Sequence, residues 1–257
     1  MLKDSLDIFK EYHIFTDSII DWKKRLFVEI PFYELLLKKY KCKSLLHIDC
    51  GSGHHLHQLS DRIDVGVGID KQSELISEAF SSRSNVSNIN FLEGNIDEIN
   101  KMLAEKRLPK TFDAVIVSAN FFVSLLNKKN LKERIEKIRD LTSKHGIIIL
   151  NLFNYEKVLL EREYHFKKIV FRRGEKLFSY IRHMKVVDSE LVKYHAFVQD
   201  HYGYTHLDFE QLQNALTKKK MIHYLDISGL SVKEIYGSFA FKQFEPIDSP
   251  KLLMIVQ

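Results

Sequence analysis

The sequence predicts an α/β fold in which a mostly parallel sheet carries helices on both faces. Between residues 44 and 154, short apolar runs alternate with amphipathic stretches, the order typical of strands joined by crossover helices. The runs are continuously apolar, as expected of strands covered on both faces. A chain of 257 residues with 45% apolar content can form one large domain with a small insertion.

The first segment is predicted to be a helical cap over residues 1–43. Apolar and aromatic residues recur at helical spacing from residue 4 to residue 41, among them Leu6, Phe9 and Trp22. Pro31 fits the first turn of a helix that reads PFYELLLKKY.

The next segment, residues 44–160, is predicted to be a sheet core. The expected strands are 44–50, 64–70, 89–95, 112–120 and 147–154. The expected helices between them are 55–63, 73–83, 97–106 and 131–144.

After residue 160 the pattern changes to alternating polar and apolar residues with turns such as Arg173-Gly174. We predict two or three antiparallel strands that form an inserted β lid over 161–204. The remainder, 205–257, is predicted to return to the core sheet.

Within this last segment we expect a helix over 208–219, with Asp208 as its N-cap. The basic run Lys218–Lys220 would then lie at its solvated C-terminal end, which cations favour. Closing strands are expected at 230–239 and 251–257.

Charge and cysteine content limit the class of protein. The net charge of +5 is a mild excess and does not require nucleic acid as a partner. Cys42 and Cys50 form no CxxC pair, so neither a zinc ribbon nor a disulfide framework is indicated. The thiols are expected to be reduced, and the N-terminus has no apolar signal region, which together predict a cytoplasmic protein. No stretch of ~20 apolar residues is present, so we expect no membrane partner.

The stretch HIDCGSG predicts a nucleoside site. Ligands of open α/β sheets bind beyond the carboxyl ends of the strands, and glycines there allow close backbone approach. Asp70 ends the second strand, where a carboxylate can accept both ribose hydroxyls. Asn95 and Ile96 follow the third strand, where a polar side chain and a free amide could meet an adenine edge.

Two features favour S-adenosylmethionine over a dinucleotide as the cofactor. The third glycine of the dinucleotide fingerprint is replaced by Leu56. Asp49 is poorly placed beside a pyrophosphate but well placed beside an ammonium group.

Successive segments resemble the motifs of class I S-adenosylmethionine-dependent methyltransferases: HIDCGSGHHLHQLS, VGVGIDKQSELI, FLEGNIDEI, FDAVIVSANFFVSLL and GIIILNLFNYEKV. WKKRLFVEIPF and LSVKEIYGSFAFKQFEPIDSPKLLMIV resemble the cap and the ending of the small-molecule branch, which includes glycine/sarcosine and sugar N-methyltransferases. The resemblance implies a Rossmann-like, doubly wound, seven-stranded sheet whose last strand is antiparallel.

The resemblance also implies roles for individual residues. Gly51 and Gly53 would admit the methionine part of the cofactor, and Asp49 would face its ammonium. Asp70 would hold the ribose, and Lys71, Asn95 and the Ile96 amide would contact the adenine. Ser118 would line the sulfonium side, and Arg25 would pair with the cofactor carboxylate. Asn120 retains the asparagine that relatives carry after strand four.

One departure concerns the acceptor. Relatives often carry Gly-Asn-Ser-Leu-x-His after strand four, whereas this chain has Ala119-Asn120-Phe121-Phe122-Val123-Ser124. The histidine is missing, so the identity of the acceptor does not transfer.

Some of these residues could instead have a purely structural role. Tyr12 and Trp22 either pack the N-terminal helix on the core or form an aromatic rim around the sulfonium, and Arg25 is either a cofactor ligand or a surface ion-pair residue. His54 and His57 lie a helical turn apart, but no cysteine or carboxylate cluster joins them, so we expect no metal site. The lid aromatics are predicted to be ordinary core.

The predicted function is methyl transfer from S-adenosylmethionine to N or O of a small molecule by in-line displacement. The candidate general bases are Tyr155, Tyr202, His206 and Tyr236. Alternatives are an RNA or protein methyltransferase, disfavoured because no Asn-Pro-Pro-Tyr follows strand four, and a non-catalytic binding protein. We expect a monomer or homodimer.

Overall fold

The computed structural model describes residues 5–82, 86–118 and 120–257. The helices are α1 (Ser5–Ile19), α2 (Trp22–Lys39), α3 (His54–Leu59), α4 (Ser73–Ser81), α5 (Ile99–Glu105), α6 (Asn120–Val123), α7 (Lys128–Asp140), α8 (Tyr155–Glu161) and α9 (Lys218–Asp226). The strands are β1 (Ser44–Ile48), β2 (Val65–Asp70), β3 (Ile89–Glu93), β4 (Phe112–Val117), β5 (Thr142–Phe153), β6 (Glu163–His165), β7 (Ile169–Arg173), β8 (Lys176–Val186), β9 (Leu191–Asp200), β10 (Thr205–Asn214), β11 (Val232–Tyr236) and β12 (Lys251–Val256).

The first sheet has seven strands in the order β11-β12-β5-β4-β1-β2-β3. Strands β1 to β5 are parallel to one another, and β12 runs antiparallel to both β5 and β11. The predicted seven-stranded sheet with an antiparallel last strand is therefore confirmed. The carboxyl ends of β1 to β4 meet along one edge of this sheet.

Helices pack on both faces of the first sheet, as the continuous apolar strands predict. On one face, α2, α3 and α4 bury Phe32, Leu36, Leu56 and Ile76 against the strands. The opposite face is covered by the second large apolar cluster, which includes residues of α5, α7 and α9.

The second sheet has the order β10-β9-β8-β6, with β7 also paired to β8. All its pairs are antiparallel. Alternate residues of these strands are buried, among them Tyr180, Met184, Tyr194 and Phe209. The predicted separate antiparallel sheet is confirmed, but it has five strands over residues 163–214 instead of two or three.

The helix predicted over 208–219 is wrong. Residues Thr205–Asn214 form β10 and pair with β9, so the second sheet continues past residue 204. In DFEQLQN, Phe209 and Gln213 are buried and Gln211 is partly buried, whereas Glu210 and Leu212 are exposed. This period of two is that of a strand, and pairing with β9 favours it over the helical alternative. The basic run Lys218–Lys220 consequently begins α9 instead of ending a helix.

The N-terminal cap consists of α1 and α2. Asp21 caps α2 by accepting a hydrogen bond from Lys24 N at 3.0 Å. Pro31 lies inside α2, so its predicted place in a first helical turn is wrong. The side chains of Leu6 and Phe9, and residues 1–4, 83–85 and 119, lie outside the described part of the chain.

Candidate functional site

A cavity of about 540 Å³ lies at the carboxyl ends of β1 to β4. Its floor is the edge of the first sheet, and its other walls come from α1, α2 and the inner face of the second sheet. Predicted site residues that line it are Tyr12, Trp22, Arg25, Asp49, Gly51, Asp70, Lys71, Asn95, Ile96, Ser118 and Tyr155. The volume falls in the range of small-molecule pockets.

Asp70 connects the two turns at the floor of the cavity. Gly51 N donates a hydrogen bond to its Oδ2 at 2.9 Å, and Gln72 N donates to its Oδ1 at 3.0 Å. Gly51 has φ +56°, a left-handed conformation in which glycine avoids the strain of a side chain. The carboxylate thus fixes the turn after β1 relative to the end of β2.

Gly53 is not brought to the cavity wall. It also has a left-handed φ, of +75°, but a Cβ there would lie 2.5 Å from the Phe91 ring. Gly53 therefore faces the apolar core at Phe91 of β3, and the absence of a side chain lets α3 pack closely on the sheet.

Three carboxylates gather around the glycine turn. Burial and the neighbouring charge of Asp70 raise the pKa of Asp49 to about 7. Burial also raises the pKa of Asp17 and of Asp70, although hydrogen bonds from Ser52 and from backbone amides oppose it. Buried acids with raised pKa values become more stable when a cation binds beside them.

The end of β3 contributes a second group of predicted contacts. Asn95 Oδ1 accepts a hydrogen bond from Asp97 N at 3.3 Å and caps the short 3₁₀ turn Ile96–Glu98. Ile96 is buried and Lys71 is exposed. The three predicted adenine contacts, Lys71, Asn95 and Ile96, therefore share one end of the cavity wall.

A partly buried network of Arg25, Glu29 and His55 lies beside the glycine turn. Arg25 lies 4.9 Å over the Trp22 ring and donates from Nε to Glu29 at 2.9 Å. The other Glu29 oxygen lies 2.7 Å from His55 Nε2. Burial would raise the pKa of Glu29, but the hydrogen bond from His55 and the charge of Arg25 outweigh it and lower this pKa to about 2.

His47 is a cavity residue that sequence reasoning missed. It is buried, and its Nε2 lies 3.0 Å from Ser118 Oγ. Its Nδ1 is buried without a hydrogen-bond partner in the described structure. Burial and the nearby charge on His55 and Arg25 hold its pKa well below the usual value, so it is neutral at pH 7. Its position two residues before Asp49, on the same side of a strand end, was the available indication.

Three tyrosine hydroxyls meet where α1 reaches the second sheet. Tyr12 Oη lies 2.8 Å from Tyr180 Oη and 2.6 Å from Tyr194 Oη. The Tyr12 ring stacks on Phe209 at 4.1 Å between centroids. Burial raises the pKa of Tyr12 and of Tyr180, so both remain neutral hydrogen-bonding groups. Tyr12 accordingly packs in the core and also lines the cavity.

The four candidate general bases are not brought together. Tyr155 lines the cavity and donates to Gln213 Oε1 at 2.9 Å, and burial raises its pKa. The other three do not line it: Tyr202 is 74% exposed, His206 pairs with Asp200 at 2.9 Å, and the Tyr236 hydroxyl bonds to Glu234. Sequence spacing could not separate these positions, because Tyr155 begins a helix, Tyr202 lies in a turn, and His206 and Tyr236 lie on strands, all without a distinctive motif.

His54 and His57, which follow the glycine turn, contact an aromatic ring and a backbone carbonyl. The His54 ring lies 4.2 Å from the Trp22 ring, and His57 Nε2 lies 3.0 Å from the carbonyl oxygen of Ala79. Within residues 5–82, 86–118 and 120–257, no three His, Cys, Asp or Glu residues are placed to share a metal ion. Asn120 begins α6, and its side chain lies outside the described structure.

Fold and cavity together define an α/β protein with a ligand-sized pocket at the carboxyl edge of its sheet. The chain belongs to the methyltransferase-domain family, which it matches over residues 41–224. The resemblance seen in its motifs is thereby confirmed.

The chain is also similar to a curated relative and to solved structures. The chain is 24% identical over 178 residues to a glycine/sarcosine N-methyltransferase of Halorhodospira halochloris, which covers 69% of this chain and 63% of that protein. The chain thus spans less than two thirds of that relative's length.

Among solved structures, an S-adenosylmethionine-dependent methyltransferase from Clostridium acetobutylicum has a TM-score of 0.73 at 16% identity and covers 96% of this chain and 97% of its own. A sugar N-methyltransferase from Streptoalloteichus has a TM-score of 0.65 at 13% identity, with 89% and 86% covered. These likenesses confirm the Rossmann-like fold. In the part of the chain that the structure describes, no helix has both the length and the apolar character needed to cross a membrane.

Proposed function

We propose that this protein transfers a methyl group from S-adenosylmethionine to a nitrogen or oxygen of a small molecule. The observation that carries the proposal is the cavity at the carboxyl ends of β1 to β4, with Asp70 held at its floor. Family membership supports the reaction class, and the name of the Halorhodospira halochloris relative supports nitrogen as the acceptor atom.

The residues around the glycine turn fit the cofactor. Backbone amides of Gly51, Gln72 and Lys71 donate to the Asp70 carboxylate, which has about four acceptor sites, so acceptor capacity remains for a ribose hydroxyl. Asp49, with its raised pKa, would gain an ammonium partner. The His47 Nδ1 without a partner is the kind of buried polar atom that a ligand group satisfies.

Arg25 is the candidate for the cofactor carboxylate. Its Nε is used by Glu29 at 2.9 Å, but a guanidinium has five N–H donors, so donors remain. The contact with the Trp22 ring restricts the orientation of the Arg25 guanidinium group.

The sulfonium of the cofactor supplies a methyl group that is already activated for displacement. The chain must therefore hold the acceptor in line and keep water out, and such alignment is worth several kcal/mol. Aromatic side chains of the cavity wall, among them Phe209 of the second sheet and Tyr155 of α8, exclude water. Ser118 Oγ faces the same cavity and lies 3.0 Å from Nε2 of neutral His47, so both side chains can hydrogen-bond to a bound ligand.

Small acceptors fit this cavity better than RNA or protein. The second sheet and α1 contribute to the cavity wall together with Ser118, and the volume of about 540 Å³ falls in the range of small-molecule pockets. A macromolecule would need an open groove at this edge.

Isothermal titration calorimetry with S-adenosylmethionine tests the site. We expect saturable binding that Asp70→Asn weakens by at least about tenfold, since a charged hydrogen-bond acceptor is worth roughly 1.5–3 kcal/mol. The matched control is Asp64→Asn, whose side chain is 75% exposed. Absence of binding to the wild-type protein, or equal affinity of a folded Asp70→Asn variant, would contradict the proposal.

A further inference from the structure

Arg182 occupies an unusual position on the inner face of the second sheet. It lies on β8 between Tyr180 and Met184, both buried, and it lines the cavity. Its guanidinium carbon lies 4.9 Å from the centroid of the Phe166 ring and 4.9 Å from that of Tyr180. Two aromatic rings therefore hold the cation in one place.

The guanidinium has no acidic partner among the described residues. Its Nε is buried and makes no hydrogen bond in the structure. Other arginines of the cavity wall are paired, Arg25 with Glu29 and Arg134 with Asp97. A buried donor without an acceptor costs free energy that a bound anion would recover.

Charge is distributed unevenly along the cavity. The carboxylates of Asp17, Asp49 and Asp70 surround the glycine turn, which Ser52 and Gly51 connect to them by hydrogen bonds. Arg182 instead sits among aromatic rings of the second sheet. None of these carboxylates belongs to the second sheet, so an anionic group of a ligand is favoured beside Arg182.

We propose that Arg182 binds a carboxylate of the methyl acceptor and so selects an anionic substrate. The inference rests on the proposed function and adds the chemical class of the acceptor. A planar guanidinium fork matches a carboxylate in two parallel hydrogen bonds. A single cation balances the single charge of a carboxylate, whereas a phosphate dianion would leave charge uncompensated among aromatic side chains.

The test begins with methyl-labelled S-adenosylmethionine and a pooled metabolite extract, followed by mass spectrometry of the labelled product. We expect a carboxylate-bearing acceptor. The acceptor and its primary amide are then compared as substrates. Wild-type protein should favour the acid by about 10–100-fold in kcat/KM, the range for a charged hydrogen-bonded pair.

Arg182→Gln should lose most of this preference, chiefly through KM, while the dissociation constant of S-adenosylmethionine stays unchanged. Arg182→Lys should retain part of it, and Arg172→Gln, at an exposed position of β7, is the matched control. Unchanged cofactor binding also shows that the variants fold.

The outcomes separate the two proposals. A neutral or phosphate-bearing acceptor, equal use of acid and amide by the wild type, or a preference retained in Arg182→Gln would overturn the role of Arg182, with methyl transfer still standing. Absence of any labelled product from the wild type would instead overturn methyl transfer itself.

Discussion

Asp49 is placed where its ionisation and ligand binding are coupled. It follows β1 with φ +53°, lines the cavity, and has a pKa raised to about 7 by burial and by Asp70. Only the ionised form attracts an ammonium group. Cofactor affinity should therefore depend on pH near neutrality.

We expect the affinity for S-adenosylmethionine to rise by about fivefold between pH 6 and pH 7. With a pKa of about 7, roughly a tenth of the carboxyl is ionised at pH 6 and half at pH 7, and apparent affinity follows that fraction. Calorimetry at the two pH values measures the ratio. Asp49→Asn should flatten it, and an equally steep profile in that variant would assign the pH dependence to another group.

Residue-scale features differ in how far sequence reveals them. The acids after β1 and β2 could be predicted, because strand ends of a parallel sheet meet at one edge. The pairing of Glu29 with His55 could not, since it joins α2 to α3 through tertiary packing. Arg182 was hidden for the same reason: its alternation with Tyr180 and Met184 marks a strand face but not what that face covers.

Among the elements, the alternating strands and helices of residues 44–154 were predictable and β10 was not. The sequence DFEQLQNALTKK fits both a helical and a strand period, and only pairing with β9 decides between them. The consequence extends to α9, whose first turn contains three lysines and no acid.

This first turn carries the wrong charge for its helix end. The N-terminus of a helix favours negative charge by about 0.3–1 kcal/mol per residue. The structure compensates with the Thr217 cap, whose side chain accepts from Lys220 N at 3.3 Å, and with Glu156, which accepts from Lys218 N at 2.6 Å.

Lys219→Glu should therefore stabilise the protein by about 0.3–1 kcal/mol, because Lys219 is exposed and the change reverses its charge beside the helix dipole. Urea unfolding at low ionic strength measures the difference. Lys144→Glu, an exposed site in β5 outside any helix, is the control. A gain that persists in molar salt would speak for another cause, since screening removes dipole effects.

At the scale of the whole molecule, the cavity exists only because α1 and the second sheet close over the first. Tyr12 is the main polar link in this closure, with hydroxyl contacts to Tyr180 and Tyr194. The general plan of sheet, cap and lid was predictable, whereas this junction depends on residues far apart in the chain.

Tyr12→Phe should lower the free energy of unfolding by about 1–2 kcal/mol, because two buried hydroxyls lose a partner while the stacking on Phe209 remains. Chemical denaturation measures the loss. Tyr204→Phe, at a position that is 70% exposed, should change stability by less than about 0.5 kcal/mol. Equal effects of the two substitutions would show that the junction contributes little.

The placement of β12 between β5 and β11 has a kinetic consequence. Lys251 of β12 pairs with Phe153 of β5, so β12 must insert beside a strand that is distant along the chain. Closing so long a loop is entropically expensive and slows folding. Until that insertion, β5 keeps a bare hydrogen-bonding edge, and refolding intermediates should be most prone to self-association there.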